Sequence, residues 1–258
     1  MNIIMTGHDG YIGSHLSPYL EKKGHKIYGF SKEITEFDYI KGKFDMVIHL
    51  AALTGVRKSL EIPQDYWETN VLGTRAVFDF CKERNMKCLY ASSSNAHEWW
   101  TNPYATTKKV NEMDGHHFVG FRPHTVYPGR KDMMYYRMTN EPETVQYING
   151  YHERDWTHIE DLCSAVCTLI ENYDIMVGKC VDIGTGESIN LKEVAAKLMP
   201  YRSPQINAMN PTTERVVTCA DITELKELGW KPEYSFKELM HEMCDHYMDI
   251  LQGKKSNR

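Results

Sequence analysis

The chain has 258 residues, of which 41% are hydrophobic and 25% charged, the balance of a soluble globular protein with a substantial core. This excludes wholesale disorder, a collagen-like fibre and a small disulfide scaffold. Lys and Arg number 30 against 35 Asp and Glu, a net charge of −5, so neither nucleic acid nor an anionic membrane is an expected partner.

Asn2 to Thr6 is a short apolar run that ends at Gly7 and reads as a buried strand. Tyr11 to Lys23 carries Ile12, Leu16 and Leu20 on one helical stripe, with Gly24 just past its end. Lys26 to Phe30 and Asp45 to Leu50 read as further strands. Pro63 opens a long helical stretch through Arg84, in which Val71, Val77, Phe78 and Cys81 are spaced for a core face. Lys87 to Ser92 is the next strand, Tyr104 to Met113 a helix, and Phe118 to Arg122 a strand. Asp161 to Glu171 and Leu191 to Leu198 are amphipathic helices with a strand, Lys179 to Ile183, between them. Strands alternating with helices imply parallel pairing and right-handed crossovers, so the expected class is α/β with a doubly wound parallel sheet.

The cysteines number seven, an odd count in mostly apolar surroundings. They read as reduced thiols packed like small hydrophobes in a cytoplasmic protein. None has zinc-finger spacing with a histidine partner, and His116-His117 would point to opposite faces of a strand, so no metal site is expected. Met1 to Met5 runs straight into the strand pattern, so no leader is expected, and no apolar run approaches the roughly 20 residues of a membrane span.

Residues 6 to 13 read Thr-Gly-His-Asp-Gly-Tyr-Ile-Gly, between the first strand and the first helix. Glycines here permit a tight turn and close approach of a pyrophosphate to the backbone, and the helix N-terminus offers N–H groups to the phosphates. The strand–turn–helix context makes this a dinucleotide-binding turn. Downstream, Tyr90-Ala91-Ser92-Ser93-Ser94 stands at a strand end, and Tyr104 and Lys108 lie four residues apart on a helix face. An ammonium beside a phenol is expected to lower the phenol's pKa from about 10, fitting it to trade protons with a sugar hydroxyl while a nicotinamide trades a hydride.

With these motifs the chain resembles the extended short-chain dehydrogenase/reductase family of NAD(P)-dependent nucleotide-sugar epimerases and dehydratases. The resemblance runs through Val47-Ile48-His49-Leu50-Ala51-Ala52, Glu68 to Thr74, Arg122-Pro123, Arg154 to Asp161, Val181 to Gly186 and Leu228-Gly229-Trp230-Lys231-Pro232. It implies a Rossmann unit of residues 1–128 with 154–186, and a small, shortened substrate unit of residues 129–153 with 187–258. It implies that Tyr104 is the acid/base, Lys108 its partner and Ser93 the assisting hydroxyl. Gly7, Gly10, Tyr11, Ile12 and Gly13 would hold the cofactor pyrophosphate, and Leu50, Ala51 and Ala52 its adenosine side. Thr125 stands where relatives carry a substrate-binding Asn. Arg154 matches an arginine that meets the substrate diphosphate in relatives, the alternative being an ion pair with Asp155 or Glu160. Trp156 and His158 are expected to pack.

In NAD-specific relatives the second strand ends in an Asp that repels a 2′-phosphate. Here that place is Ser31 followed by Lys32, so the expected cofactor is NADP, with NAD the alternative. Ser94-Asn95 stands where dehydratases carry an Asp-Glu pair, and no Cys lies near Ser93, which disfavours dehydration and the fucose-synthase type of epimerase-reductase. The segments between Ser93 and Tyr104, after Lys108, and from Gly129 to Arg154 are all short for the family. The resulting expectation is a nucleotide-sugar 4-epimerase acting on a nucleotide-diphosphate sugar, the alternatives being a keto-sugar reductase or a non-catalytic cofactor-binding member. Relatives pair helices matching Pro63–Arg84 and Tyr104–Met113, which implies a homodimer.

Overall fold

The computed structural model describes residues 1–30, 42–202, 204–207 and 213–240. The first half alternates strand and helix: β1 (Asn2–Thr6), α1 (Tyr11–Lys22), β2 (Lys26–Phe30), β3 (Met46–His49), α2 (Val56–Glu61), α3 (Pro63–Tyr66), α4 (Gly73–Glu83), β4 (Lys87–Ala91), α5 (Pro103–Asp114) and β5 (Val119–Pro123). Then follow β6 (Thr125–Tyr127), α6 (Met134–Asn140), β7 (Tyr147–Asn149), β8 (Glu153–His158), α7 (Ile159–Glu171), α8 (Tyr173–Met176) and β9 (Cys180–Ile183). The described chain closes with β10 (Ser188–Asn190), α9 (Leu191–Leu198), β11 (Gln205–Asn207), β12 (Val217–Thr218) and α10 (Thr223–Glu227).

Six strands form a parallel sheet in the order β2-β1-β3-β4-β5-β9. Alternate residues of one strand serve opposite faces. Ile3 and Met5 of β1 join Leu16 and Leu20 of α1 and Leu162, Val166 and Leu169 of α7 in one core. Ile4 and Val47 join Val77, Phe78 and Cys81 of α4 in the other. The chain leaves β1 toward one edge and returns through β3 toward the other, so the loops after β1 and β3 diverge at a topological switch point, where an open α/β sheet has its ligand crevice.

A third core lies apart from the large sheet. It gathers Tyr127, Met138, Ile148, Trp156, Val194, Leu198 and Phe236 around a small sheet in which β8 pairs with β6, β10 and β12. The Trp156 and Phe236 rings stack there with centroids 4.5 Å apart at 6°, and His158 stacks on Tyr234 at 3.9 Å. Both residues pack, as the sequence indicates.

The long helix expected over Pro63–Arg84 is one helical path with an irregular middle: α3 passes through a π-helical stretch, Trp67–Leu72, into α4. Buried Asn70 in the widened turn accounts for it, since its side chain accepts from Leu53 N at 2.8 Å and donates to Leu53 O at 3.0 Å and Thr107 Oγ1 at 3.2 Å. The helix is thereby fastened to the loop after β3 and to α5. Before α5, Ser94–Thr101 forms 3₁₀ turns interrupted at Glu98, a segment without the apolar period that would announce it. His116 and His117 sit in a turn after α5 rather than on a strand, with ring centroids 3.9 Å apart.

Candidate active site

The glycine turn joins β1 to α1. Gly7 has φ +66°, and a Cβ there would stand 2.8 Å from Ala51 N. A Cβ on Gly13 would run into Gly7 O and lie 2.6 Å from His8 Cα. The turn therefore closes on itself and against the loop after β3 only with hydrogen in these places. Gly10 caps α1 without a side-chain hydrogen bond, and the first turn of the helix contains no acidic residue. The helix thus places no acidic side chain of its own first turn against these N–H groups and the positive end of the dipole, which suits a bound pyrophosphate. Tyr11 Oη accepts from Gly129 N at 2.9 Å, tying the turn to the segment that leads out of β6.

Across the cleft, Ser93 follows β4, while Tyr104 and Lys108 stand one turn apart on α5. The Asn102 side chain accepts from Ala105 N at 2.8 Å and Pro103 opens the first turn, an arrangement that starts α5 just before Tyr104. Ser93 and Tyr104 line the same cleft, and the Ser93 hydroxyl is near enough to favour the Tyr104 phenolate. Gly7, Gly10, Tyr11, Ile12, Gly13, Leu50, Ala51, Ala52, Ser93, Tyr104, Lys108 and Thr125 all line one cleft of about 490 Å³, within the usual range for a small-molecule site. Sequence positions up to 118 residues apart thus meet in one cavity. Ser31 and Lys32 lie outside the described residues.

The electrostatics differ from the expectation in one respect. Burial raises the Tyr104 phenol above its ordinary value of 10.0, against lowering by the nearby Ser93 hydroxyl and the Arg130 charge. The Lys108 ammonium donates instead to Ala91 O at 2.7 Å, and burial brings it from 10.5 down to about 8. Lys108 is buried where it lines the cleft, and this burial is what lowers it. Arg130 is the cation that bears on Tyr104. It also lines the cleft and pairs with Asp132 at 2.9 Å. Sequence reasoning missed it, although its place directly after the Pro128-Gly129 turn was a usable signal.

A second cleft of about 640 Å³ continues the first, sharing Gly55, Ser94, Asn95, Thr125 and Asp132 with it. Its walls carry Arg57, Lys58, Arg137, Arg154 and Arg215, with Glu214. Arg154 pairs with neither Asp155 nor Glu160. Its guanidinium reaches Glu153 O at 2.8 Å, Val216 O at 3.1 Å and His152 Nδ1 at 2.9 Å. Burial pulls it down to about 10, partly offset by Glu214. Asp155 is occupied elsewhere, accepting from Thr185 N at 2.8 Å and Gly186 N at 2.9 Å. Arg215 donates to Ser94 O at 2.7 Å and so joins the second cleft to the catalytic wall.

The description of the NAD-dependent epimerase/dehydratase family matches residues 3–184. The chain belongs to that family. Among curated relatives, Protein CapI of Staphylococcus aureus is 29% identical, the match covering 98% of this chain and 100% of that one. UDP-glucuronate 4-epimerase of Thermodesulfobacterium geofontis is 28% identical over 91% of this chain and 92% of its own. The CapI alignment runs over 333 positions although this chain has 258 residues, so the relative carries insertions that this chain lacks. Among solved structures, a variant UDP-glucuronic acid 4-epimerase from Bacillus cereus, in complex with UDP-4-deoxy-4-fluoro-glucuronic acid and NAD, superposes with a TM-score of 0.81 at 22% identity, covering 97% of this chain and 100% of that one. That likeness establishes the doubly wound Rossmann fold.

Proposed function

We propose that the protein is a nucleotide-sugar 4-epimerase in which Tyr104, Ser93 and Lys108 form the catalytic wall. The observation that carries this reading is the convergence of Ser93, Tyr104 and Lys108 on one cleft that opens on one side to the glycine turn and on the other to a basic groove. Gly7, Gly10 and Gly13 of the turn would hold a nicotinamide dinucleotide, which would supply a hydride acceptor and donor beside the sugar carbon. Tyr104 takes the proton of the sugar hydroxyl and gives it back to the carbonyl oxygen. Ser93 holds that oxygen in line, and Ser93 and Arg130 both favour the phenolate against burial. Lys108, anchored on Ala91 O, fixes the floor beneath the ring.

Water elimination finds no support in this wall. The Asn95 side-chain amide follows Ser93 and donates to its hydroxyl at 3.3 Å, and the nearby Asp132 is paired with Arg130. The arginines of the second cleft suit a nucleotide diphosphate, and the two related 4-epimerases act on UDP-glucuronate by name. The separate core behind this groove draws Met138, Ile148, Val194, Leu198 and Phe236 from the expected substrate unit, residues 129–153 with 187–258, and Tyr127 and Trp156 from outside it. Ser31 and Lys32 in place of an Asp favour NADP over NAD.

The test is turnover of the cofactor-loaded protein on a panel of UDP-sugars. Inversion at one sugar carbon with no net change in reduced cofactor supports the epimerase. Stoichiometric consumption of reduced cofactor makes it a keto-sugar reductase, and retained cofactor without turnover makes it a binding member. Parallel titrations with NADP and NAD decide the cofactor: tighter NAD binding, or unchanged NADP affinity in Lys32→Ala, overturns the NADP reading.

A further inference from the structure

Beside the catalytic cleft, outside the residues used above, three side chains converge. His97 comes from the 3₁₀ segment after β4, His124 from the residue between β5 and β6, and Asp182 from β9. One ligand atom from each lies within 4.8 Å of the other two. His97 Nε2 is 2.9 Å from Asp182 Oδ1, and His124 Nε2 is 3.5 Å from Asp182 Oδ2. The His124 side chain is 0% exposed, yet neither of its ring nitrogens makes a hydrogen bond. A buried imidazole left in this state is costly, and such an atom asks for a partner.

Among the described residues the Asp182 carboxylate is the group that approaches this ring, at 3.5 Å from Nε2, and Nδ1 has no hydrogen-bond partner. The Arg122 guanidinium is committed to Glu112, at 2.6 and 2.9 Å, and to Cys180 O at 2.8 Å. Only its remaining contact, at 3.4 Å, reaches Asp182. The Asp182 carboxylate lies 2.9 and 3.0 Å from His97 Nε2 and accepts from Asp221 N at 3.3 Å. A tetrahedral ion about 2.0–2.2 Å from nitrogen and oxygen ligands separates them by roughly 3.3–3.6 Å. The two His–Asp spacings, 2.9 and 3.5 Å, and the 4.8 Å bound on the third lie about that value.

We propose that His97, His124 and Asp182 bind a divalent transition-metal ion of the zinc type, with a fourth position left open. Two imidazoles with one carboxylate select a borderline ion over magnesium or calcium, which prefer all-oxygen shells. The ion ties three elements together at the back of the catalytic wall, since His124 itself lines the cleft next to Thr125. This assignment does not depend on the sugar substrate or on the reaction.

The experiment uses tag-free full-length protein stripped with a chelator. Cobalt(II) is titrated as an optical probe and zinc(II) by calorimetry, with thermal melts in parallel. The expected result is one equivalent of tight binding, the visible absorption of tetrahedral cobalt and a rise in Tm with zinc. His97→Ala removes a ligand whose side chain is 37% exposed, so folding is retained while affinity falls at least about tenfold, the low end for losing even an outer-shell partner. His124→Phe keeps the volume of the buried ring and is expected to lose the same binding. Failure of the parent to bind one equivalent overturns the proposal, and so does undiminished binding in His97→Ala. Should His124→Phe not fold, His97→Ala alone decides.

Discussion

The Lys108 ammonium donates to the Ala91 main-chain carbonyl at 2.7 Å, not to the phenol of Tyr104 one turn away. The lysine thus joins α5 to the end of β4, and the groups that favour the Tyr104 phenolate against burial are Ser93 and Arg130. On the proposed reading, proton transfer at Tyr104 would depend on the loop arginine Arg130 as well as on Ser93.

Tyr104→Phe is expected to fold and to bind dinucleotide as the parent does, because the ring stays and only the hydroxyl goes. Turnover should fall by roughly 10²–10⁴-fold, the usual worth of a general acid–base group. Steady-state kinetics on whichever UDP-sugar is turned over checks this, and a loss of only a few-fold removes Tyr104 from the acid/base role.

Lys108 also leaves a signature in stability. Burial lowers it from 10.5 to about 8, so between those pH values the unfolded chain holds a proton that the folded chain does not. The contribution of this position to stability is full above about pH 10.5, declines as the pH falls, and is lost below about pH 8. Urea unfolding of the parent and of Lys108→Met across pH 7 to 11 should show the parent gaining on the variant as pH rises. A difference that stays constant with pH would falsify the assignment.

Gly13→Ala places a methyl group against Gly7 O and 2.6 Å from His8 Cα. Since both are backbone, the turn must open. We expect a destabilisation of about 1–3 kcal/mol, as for other overpacked sites, and loss of most dinucleotide affinity. Thermal melts and NAD(P) calorimetry measure the two effects separately, and dinucleotide binding at parental strength would show that the turn does not cradle the pyrophosphate.

A homodimer is expected through the outer faces of the Pro63–Glu83 path and α5. Trp67 is 43% exposed, Leu72 57%, Trp100 66% and Met113 69% on or beside these helices, a concentration of large apolar groups typical of a contact surface. Light scattering at micromolar concentration should report twice the 30.0 kDa chain mass, and Trp100→Asp should shift the population toward monomer. A parent that scatters as a single chain at every concentration rules the dimer out.

The doubly wound sheet was legible in the sequence because parallel strands buried on both faces read as apolar runs separated by helical periodicity, and Met46–His49 and Lys87–Ala91 fell where those runs lie. The glycine turn and the Tyr104/Lys108 pair were legible for a related reason: each is a local pattern whose spacing carries its geometry. Sequence alone assigned Lys108 to the phenol, because the four-residue spacing says that two side chains share a face and nothing about what else competes for them. The tertiary structure gave Lys108 to Ala91, placed Arg130 near Tyr104 and joined five basic side chains from distant segments into one groove. It also brought His97, His124 and Asp182 together, where sequence spacing offered no reason to expect a metal site. Their proximity arises from neighbouring strands of a parallel sheet, whose register is set by crossovers dozens of residues long, and no local spacing rule reaches across a crossover.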